Sequence, residues 1–341
     1  MSTLKRAGRY DIKQIVIFRA LQLGDMLNAV PAFRALRRAY PDARITLVGL
    51  PWSTAFVERF RLYLDDFIVF PGYPGLPEQL PNVTQFSSFL RWIQAMEIDL
   101  ALQMQGSGQI SNPIVSLWDA KRTAGFYLPG NYCPDQDSFL EYPEHETEIW
   151  RHLRLMQFLG IPLQGDELEF PLFEKDWDEF HQIRHGFGLQ RDFICIHPGA
   201  RKAERRWSPR HFAEVADGLS ARGLQVVLTG SSEEAHLTSA VAQYMKSPAI
   251  DLAGKTSLGG LAALLTKARL VVNNDTGISH VTAAVKTPSV ILFSASDMDR
   301  WAPRNRKLHK VIWPARDVTA ASVLAEAVMH LQNLYDRVPA S

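Results

Sequence analysis

Short apolar runs alternate with longer segments of helical periodicity along most of the chain. Gln14–Phe18 is an apolar, β-branched run of strand length, and Arg44–Val48 is similar. Between these runs, Val30, Phe33 and Leu36 recur at roughly helical spacing. Strands that alternate with helices predict a mainly parallel sheet that is covered by helices on both faces.

The same alternation continues after an interruption near the middle of the chain. Further strands are predicted by six runs: Phe67–Phe70, Asp99–Gln103, Phe193–Ile196, Gln225–Thr229, Leu270–Val272 and Ser289–Phe293. Residues 160–176 contain prolines and glycines among acidic residues, which predicts a linker. The sequence therefore predicts two Rossmann-like α/β domains, 1–172 and 173–341, that face each other across a cleft. The helix predicted over 319–335 is compatible with packing on either domain.

Length, charge and cysteine usage narrow the class of protein. A chain of 341 residues fits two domains, and a net charge of +1 argues against a nucleic-acid binder. Cys133 and Cys195 form no metal-binding or redox spacing, which favours a reducing, cytoplasmic setting. No signal peptide or run long enough to span a membrane is visible. We therefore expect any contact with lipid to be peripheral.

The most informative segment runs from Asn273 to His280, between a predicted strand and a predicted helix. Such a turn is a standard ligand position in doubly wound folds. Amides at the helix start, with Thr276 as cap and Gly277 allowing close approach, suit a diphosphate. Asp275 is then placed to accept hydrogen bonds from sugar hydroxyls, and His280 lies one turn further on. The alternative is that Asp275 or Thr276 only caps the helix and that His280 is a structural, buried imidazole.

Two further segments follow predicted strands of the second half. The loop from His197 to Trp207 contains four cations, and its place after a strand predicts a phosphate contact rather than a merely solvated loop. The turn that begins at Thr229 carries Glu233 and Glu234, which are suited to hold a ribose or to cap a helix.

In the first half, Asp25 lies in the turn between the first strand and its helix. A carboxylate there can act as a general base on an acceptor hydroxyl, although it can also simply favour the helix N-terminus. Arg34, Arg37 and Arg38 lie on one flank of the following helix, which is either a solvated face or a contact for an anionic acceptor. The triplet that begins at Asp297 spells D-x-D, but we do not expect it to bind a metal.

In this order, these segments resemble the ADP-heptose:lipopolysaccharide heptosyltransferase family, glycosyltransferase family 9. The resemblance covers nearly the whole chain, and its most specific part is 275–280. The matching stretches are Leu23–Pro31, Arg37–Pro41, Lys121–Phe126, Pro198–Trp207, Leu252–Leu258 and Asp275–His280.

The resemblance implies a GT-B fold, inverting transfer without a metal or other cofactor, and a nucleotide-sugar donor held mainly by the C-terminal domain. Asp25 matches the catalytic base, and Asp275, Thr276, Gly277 and His280 match the donor site. Arg205 stands where the family usually has a lysine, and either Glu233 or Glu234 matches a ribose-binding acid. The implied acceptor is an anionic glycolipid of the lipopolysaccharide inner core, at the cytoplasmic face of the inner membrane.

The chain departs from the family pattern in two places, which keeps other interpretations open. Ala200 and Arg201 stand where some members have hydroxyl residues, and 294–303 lacks the usual glycine-proline run. A glycosyltransferase with another sugar nucleotide or a different acceptor therefore remains possible. A non-catalytic nucleotide-sugar-binding protein and a nucleotide-sugar epimerase are the more distant alternatives.

Overall fold

The computed structural model describes residues 12–335, so residues 1–11 and 336–341 of the two predicted domains lie outside the described part. The chain divides into two compact units between Leu168 and Glu169. This division falls four residues before the predicted boundary after residue 172. Each unit is an α/β structure with one parallel sheet, as the alternation of apolar runs and helical segments predicts.

The first unit carries a six-stranded sheet in the order β3-β2-β1-β4-β5-β6. Its strands are β1 (Gln14–Phe18), β2 (Arg44–Gly49), β3 (Asp66–Val69), β4 (Leu100–Gln103), β5 (Thr123–Tyr127) and β6 (Phe139–Glu141). Its helices are α1 (Leu23–Ala39), α2 (Ser53–Arg59), α3 (Val83–Gln94), α4 (Ser111–Ser116) and α5 (Glu148–Phe158). Aromatic side chains fill the core on one face of this sheet, where the rings of Phe18 and Phe70 lie 4.8 Å apart.

The second unit repeats this architecture, with strand order β12-β11-β10-β7-β8-β9. Its strands are β7 (Phe193–His197), β8 (Gln225–Leu228), β9 (Ala249–Asp251), β10 (Val271–Asn274), β11 (Ser289–Leu292) and β12 (His309–Ile312). Its helices are α6 (Glu174–Gly186), α7 (Pro209–Ser220), α8 (Ala235–Tyr244), α9 (Leu258–Lys267), α10 (Gly277–Ala284), α11 (Met298–Trp301) and α12 (Ala320–Tyr335). Both sheets therefore have the strand order of a Rossmann fold.

Helix α12 packs on the second unit, which decides between the two placements that the sequence left open. Its apolar side chains, including Val323 and Ala327, belong to the core beside β11 and α7. A Cβ at Gly218 of α7 would lie 2.2 Å from Leu324 Cδ2, so the close approach of these two helices requires a glycine there.

The eight strands predicted from apolar runs are confirmed, and four strands were missed. Two of the missed strands, β6 and β9, are only three residues long and lie at sheet edges. Strand β10 extends to Asn274, beyond its predicted end at Val272, because the two asparagines are buried and hydrogen-bonded. Within residues 12–335 no helix is long and apolar enough to cross a membrane.

Candidate active site

In each unit, the strand order reverses between two neighbouring strands, β1 and β4 in the first and β7 and β10 in the second. Ligands of doubly wound sheets bind beyond the carboxyl ends of the strands at such a reversal. The segments that leave these strands are therefore the places to look for a site. They include Asp25 in the first unit and five of the predicted donor residues in the second, whereas Glu233 and Glu234 follow β8.

Asn274, the last residue of β10, joins the segments that follow β7 and β10. Its Nδ2 donates to the Pro198 carbonyl oxygen at 2.8 Å, and its Oδ1 accepts from the Trp207 N–H at 3.0 Å. Asn274 therefore holds both ends of the basic loop against the start of α10. Asn274 was not among the residues predicted for the site, although two consecutive asparagines at the end of an apolar strand are a visible signal.

Asp275 is buried and has two partners of different kinds. Its Oδ2 accepts a hydrogen bond from the Ser296 hydroxyl, and the same oxygen lies 3.5 Å from Arg205 Nη1. Arg205 ends a short 3₁₀ turn and keeps about a third (31%) of its side chain exposed. The structure thus brings Asp275 and Arg205 together and adds Ser296, which had no signal in the sequence.

Helix α10 begins directly after Asp275, with Thr276 in an extended conformation as its N-cap and Gly277 as its first residue. The Ser279 Oγ accepts from the Thr276 N–H at 3.3 Å. The first turn of α10 carries no acidic residue, so the positive end of its dipole is not offset from within the helix. His280 is buried, and its ring lies 6.2 Å from that of Trp301.

Glu234 and Glu233 differ sharply in their surroundings. The Glu233 side chain is exposed, whereas Glu234 is half-buried and its Oε2 accepts from the Ser231 N–H at 3.0 Å. The Glu234 carboxylate also lies against Gly199, where a Cβ would come within 2.3 Å of Oε1. The structure thus places Glu234, not Glu233, beside the loop that follows β7.

His197 supports this corner of the second unit. Its Nδ1 lies 3.0 Å from the Thr229 hydroxyl, and its Nε2 lies 3.9 Å from Glu234 Oε2. Burial lowers the pKa of His197, and the Glu234 carboxylate acts in the opposite direction. A neutral imidazole at this position can hydrogen-bond to the Thr229 hydroxyl without adding charge to the site.

Asp25 lies half-buried in the first turn of α1. Its backbone carbonyl accepts two hydrogen bonds from the guanidinium of Arg19, at 2.7 and 3.2 Å. One residue earlier, the Gly24 carbonyl accepts from Asn28 Nδ2 at 2.8 Å. The turn that presents the Asp25 carboxylate is therefore fixed from two sides.

The three arginines predicted to bind an acceptor lie at the other end of α1. Nine residues of helix separate Asp25 from Arg34, which is about 14 Å. Arg34 donates to the Glu167 carbonyl oxygen at 3.1 Å. Arg37 donates to the Ala43 carbonyl oxygen at 2.6 Å and forms an ion pair with Asp65. Arg38 is exposed. Because α1 runs antiparallel to the strands, the structure does not bring these arginines together with Asp25, and their acceptor role stays a prediction.

The D-x-D triplet serves the backbone. Asp297 is the N-cap of α11, and its Oδ1 accepts from the Asp299 and Arg300 amides at 3.0 and 3.2 Å. In the described part of the chain, no group of three or more His, Cys, Asp or Glu side chains is arranged to hold a metal ion.

Two Rossmann-type units in one chain define a protein of the two-domain GT-B class. The glycosyltransferase family 9 (heptosyltransferase) model matches residues 87–324. The chain belongs to this family and is a glycosyltransferase.

Individual relatives agree with this assignment over nearly their whole lengths. The chain is 28% identical over 331 residues to lipopolysaccharide heptosyltransferase 3 of Escherichia coli K12, covering 88% of this chain and 94% of that protein. A family 9 glycosyltransferase from Veillonella parvula superposes with a TM-score of 0.79 at 20% identity, over 94% of this chain and 98% of that one. The E. coli ADP-heptose lps heptosyltransferase II superposes with a TM-score of 0.72 at 22% identity, over 95% of this chain and 100% of that one.

Proposed function

We propose that this protein transfers heptose from ADP-heptose to a hydroxyl of a lipopolysaccharide inner-core acceptor, with inversion and without a metal. The names of its relatives suggest the donor and the acceptor. The observation that carries the proposal is the contact of the buried Asp275 carboxylate with Arg205 at the start of α10. This arrangement provides an anion-binding group and a sugar-binding group side by side.

The donor contacts follow from the chemistry of each group. The diphosphate is placed at the amides of Thr276 and Gly277, where the helix dipole favours negative charge. Arg205 exchanges its pairing with Asp275 for the phosphate oxygens, which releases the carboxylate for the heptose hydroxyls. Glu234 accepts hydrogen bonds from the ribose, because it is the glutamate beside the loop after β7. His280 completes the sugar end of the site.

Transfer is a single displacement at the anomeric carbon. The acceptor oxygen forms its bond to that carbon while the bond to the diphosphate oxygen breaks, and ADP leaves with the bonding electrons. Asp25 takes the proton of the attacking hydroxyl. One displacement inverts the anomeric configuration. Arg205 and the α10 amides offset the charge that develops on the departing ADP, which is the task that a divalent cation performs in other architectures.

The acceptor side of the proposal rests on the first unit. Asp25 stands at the carboxyl end of β1, where a doubly wound sheet binds its ligand. An inner-core acceptor is an anionic glycolipid, so we place the reaction at the cytoplasmic face of the membrane with peripheral contact only. Cosedimentation of the protein with vesicles that contain the acceptor would test this placement.

Asp25→Asn is the decisive variant. We expect kcat to fall roughly 10²- to 10⁴-fold, because the amide cannot accept the proton. The affinity for ADP-heptose should stay the same, since the donor contacts lie on the other unit. Asp42→Asn, an exposed carboxylate just beyond α1, is the matched control and should behave as wild type. Wild-type turnover by a folded Asp25→Asn protein would refute the base assignment.

The same assay tests the finer parts of the proposal. Activity should survive a chelator, and the anomeric proton signal of the product should show inversion relative to the donor.

The second candidate is transfer from another sugar nucleotide, which is favoured by the departures from the family pattern at Ala200, Arg201 and the segment 294–303. A panel of ADP-, UDP- and GDP-sugars separates the two: a stronger preference for a donor other than ADP-heptose would replace the heptose assignment and keep the chemistry.

A further inference from the structure

A buried ionic cluster lies directly behind the turn that carries Asp25. Arg19, the residue after β1, is fully buried. Its Nε and Nη2 both donate to the Asp25 carbonyl oxygen. Its Nη1 donates to the Met104 carbonyl oxygen at 2.6 Å, and its Nη2 also lies 3.2 Å from Glu148 Oε1. One guanidinium thus connects the first turn of α1, the end of β4 and the start of α5.

Glu148 provides the counter-charge of the cluster. It is buried, it is the first residue of α5, and it also pairs with Arg151. Arg151 in turn donates to the carbonyl oxygens of Pro143 and Glu144, at 3.0 and 3.1 Å. His152 adds a contact of 3.3 Å to Glu148, and burial, together with the nearby Arg19, lowers its pKa to about 4. The imidazole is therefore neutral at neutral pH.

Such a cluster is a costly way to stabilise a fold. Each buried ion loses several kcal/mol of hydration, and apolar side chains of similar volume often stabilise a core as well or better. What a guanidinium offers, and an apolar group does not, is several donors in a fixed planar arrangement. At Arg19 two of these donors converge on a single atom, the carbonyl oxygen of Asp25.

We propose that Arg19, held by Glu148, is a positioning residue that fixes the Asp25 turn for proton transfer. The proposal rests on the proposed function, in which Asp25 is the base. Proton transfer needs the carboxylate within hydrogen-bond distance of the attacking hydroxyl, and an error of about 1 Å in such a geometry can cost roughly 10²-fold in rate. Arg19 contributes by holding the backbone from which that carboxylate extends.

Arg19→Lys is the primary test, because it keeps the charge and removes the planar set of donors. We expect kcat, normalised to the stoichiometry of donor binding, to fall roughly 10- to 100-fold. The KM for ADP-heptose should change less than about twofold. Arg222→Lys is the control, since Arg222 also donates to a backbone carbonyl oxygen, that of Gly218 at 2.6 Å, but in the turn between α7 and β8 of the second unit. We expect it to leave kcat unchanged.

A double-mutant cycle distinguishes positioning from a general structural effect. If Arg19 acts through Asp25, then Arg19→Lys should change the residual rate of Asp25→Asn less than about twofold. An equal loss in both backgrounds, or wild-type kcat for Arg19→Lys, would overturn the proposal. Should Arg19→Lys fold poorly, Arg19→Met combined with Glu148→Gln removes one charge of each sign and still leaves an oxygen for Arg151.

Hydrogen exchange provides a readout that does not depend on transfer. Arg19→Lys should speed amide exchange in residues 25–28, whereas Arg222→Lys should not. Unchanged exchange there would overturn the inference, whatever the activity. If wild type does not use ADP-heptose, or if Asp25→Asn keeps full turnover, the proposed function fails, and the exchange experiment still decides whether Arg19 holds the turn.

Discussion

Replacing Gly199 with alanine should displace the Glu234 carboxylate without disturbing the fold. A Cβ at position 199 would lie 2.3 Å from Glu234 Oε1 and 2.7 Å from Oε2, closer than packed carbon and oxygen atoms approach. The atoms in the way are the end of a flexible side chain, so the carboxylate can move aside at little cost. It would then leave the Ser231 N–H, from which it accepts a hydrogen bond of 3.0 Å.

The size of the effect follows from the contact that is lost. A hydrogen bond between a charged and a neutral group contributes about 1.5–3 kcal/mol, which is roughly 10- to 150-fold in Kd. If Glu234 holds the ribose, Gly199→Ala and Glu234→Ala should both weaken ADP binding within this range. In the double variant, the alanine at 199 has no carboxylate to displace, so its affinity should equal that of Glu234→Ala alone.

Calorimetric titration with ADP, without acceptor or metal, measures this directly. Glu233→Ala is the matched control, because Glu233 is the exposed neighbour and should leave the Kd unchanged. Thermal unfolding of each variant shows whether the fold is intact. The reasoning is refuted if Gly199→Ala binds ADP like wild type, or if Glu233→Ala loses as much affinity as Glu234→Ala.

Two further predictions concern the second unit. Ser296→Ala removes the hydroxyl that donates to Asp275, so we expect calorimetry to show about tenfold weaker binding of ADP-heptose and a smaller loss of affinity for ADP. Equal losses of affinity for the two ligands would contradict a sugar contact at Asp275. Burial, aided by the nearby His330, lowers the pKa of His309 from 6.5 to about 4. The free energy of unfolding should therefore fall as the pH decreases from 6.5 to about 4, by about 3 kcal/mol at most. Urea unfolding at pH 7.5 and 4.5 should show a smaller difference for His309→Gln than for wild type, and equal differences would contradict this role of His309.

The centre of the candidate donor site could be predicted because its signal is local. Asp275, Thr276 and Gly277 are small polar residues between an apolar strand and a helix, and that order alone predicts an anion site at a strand end. Ser296 had no such signal. It reaches Asp275 from the segment after the next strand, 21 residues away, and only the packing of β11 beside β10 brings the two together.

The position of the α1 arginines relative to Asp25 could also have been predicted from the sequence. Their spacing indicates that Arg34 and Arg38 share a helix face, but the polarity of a βαβ unit also indicates which end of the helix lies at the carboxyl edge of the sheet. Residues late in α1 lie at the opposite edge, away from Asp25. Arg19 was harder to interpret, because its counter-charge Glu148 is 129 residues away.

The two units share one strand order, yet the starts of α1 and α10, which flank the strand reversals, differ in charge, and this difference supports the roles proposed for the two units. The first turn of α1 contains Asp25, whose carboxylate offsets the positive end of the helix dipole and repels a diphosphate. The first turn of α10 contains no acidic residue, and Arg205 offsets the charge of the Asp275 carboxylate just before it, so this start suits a diphosphate better than that of α1 does. This difference supports the proposal that the second unit binds the diphosphate of the donor. The first unit is left with a carboxylate suited to take a proton from a neutral hydroxyl.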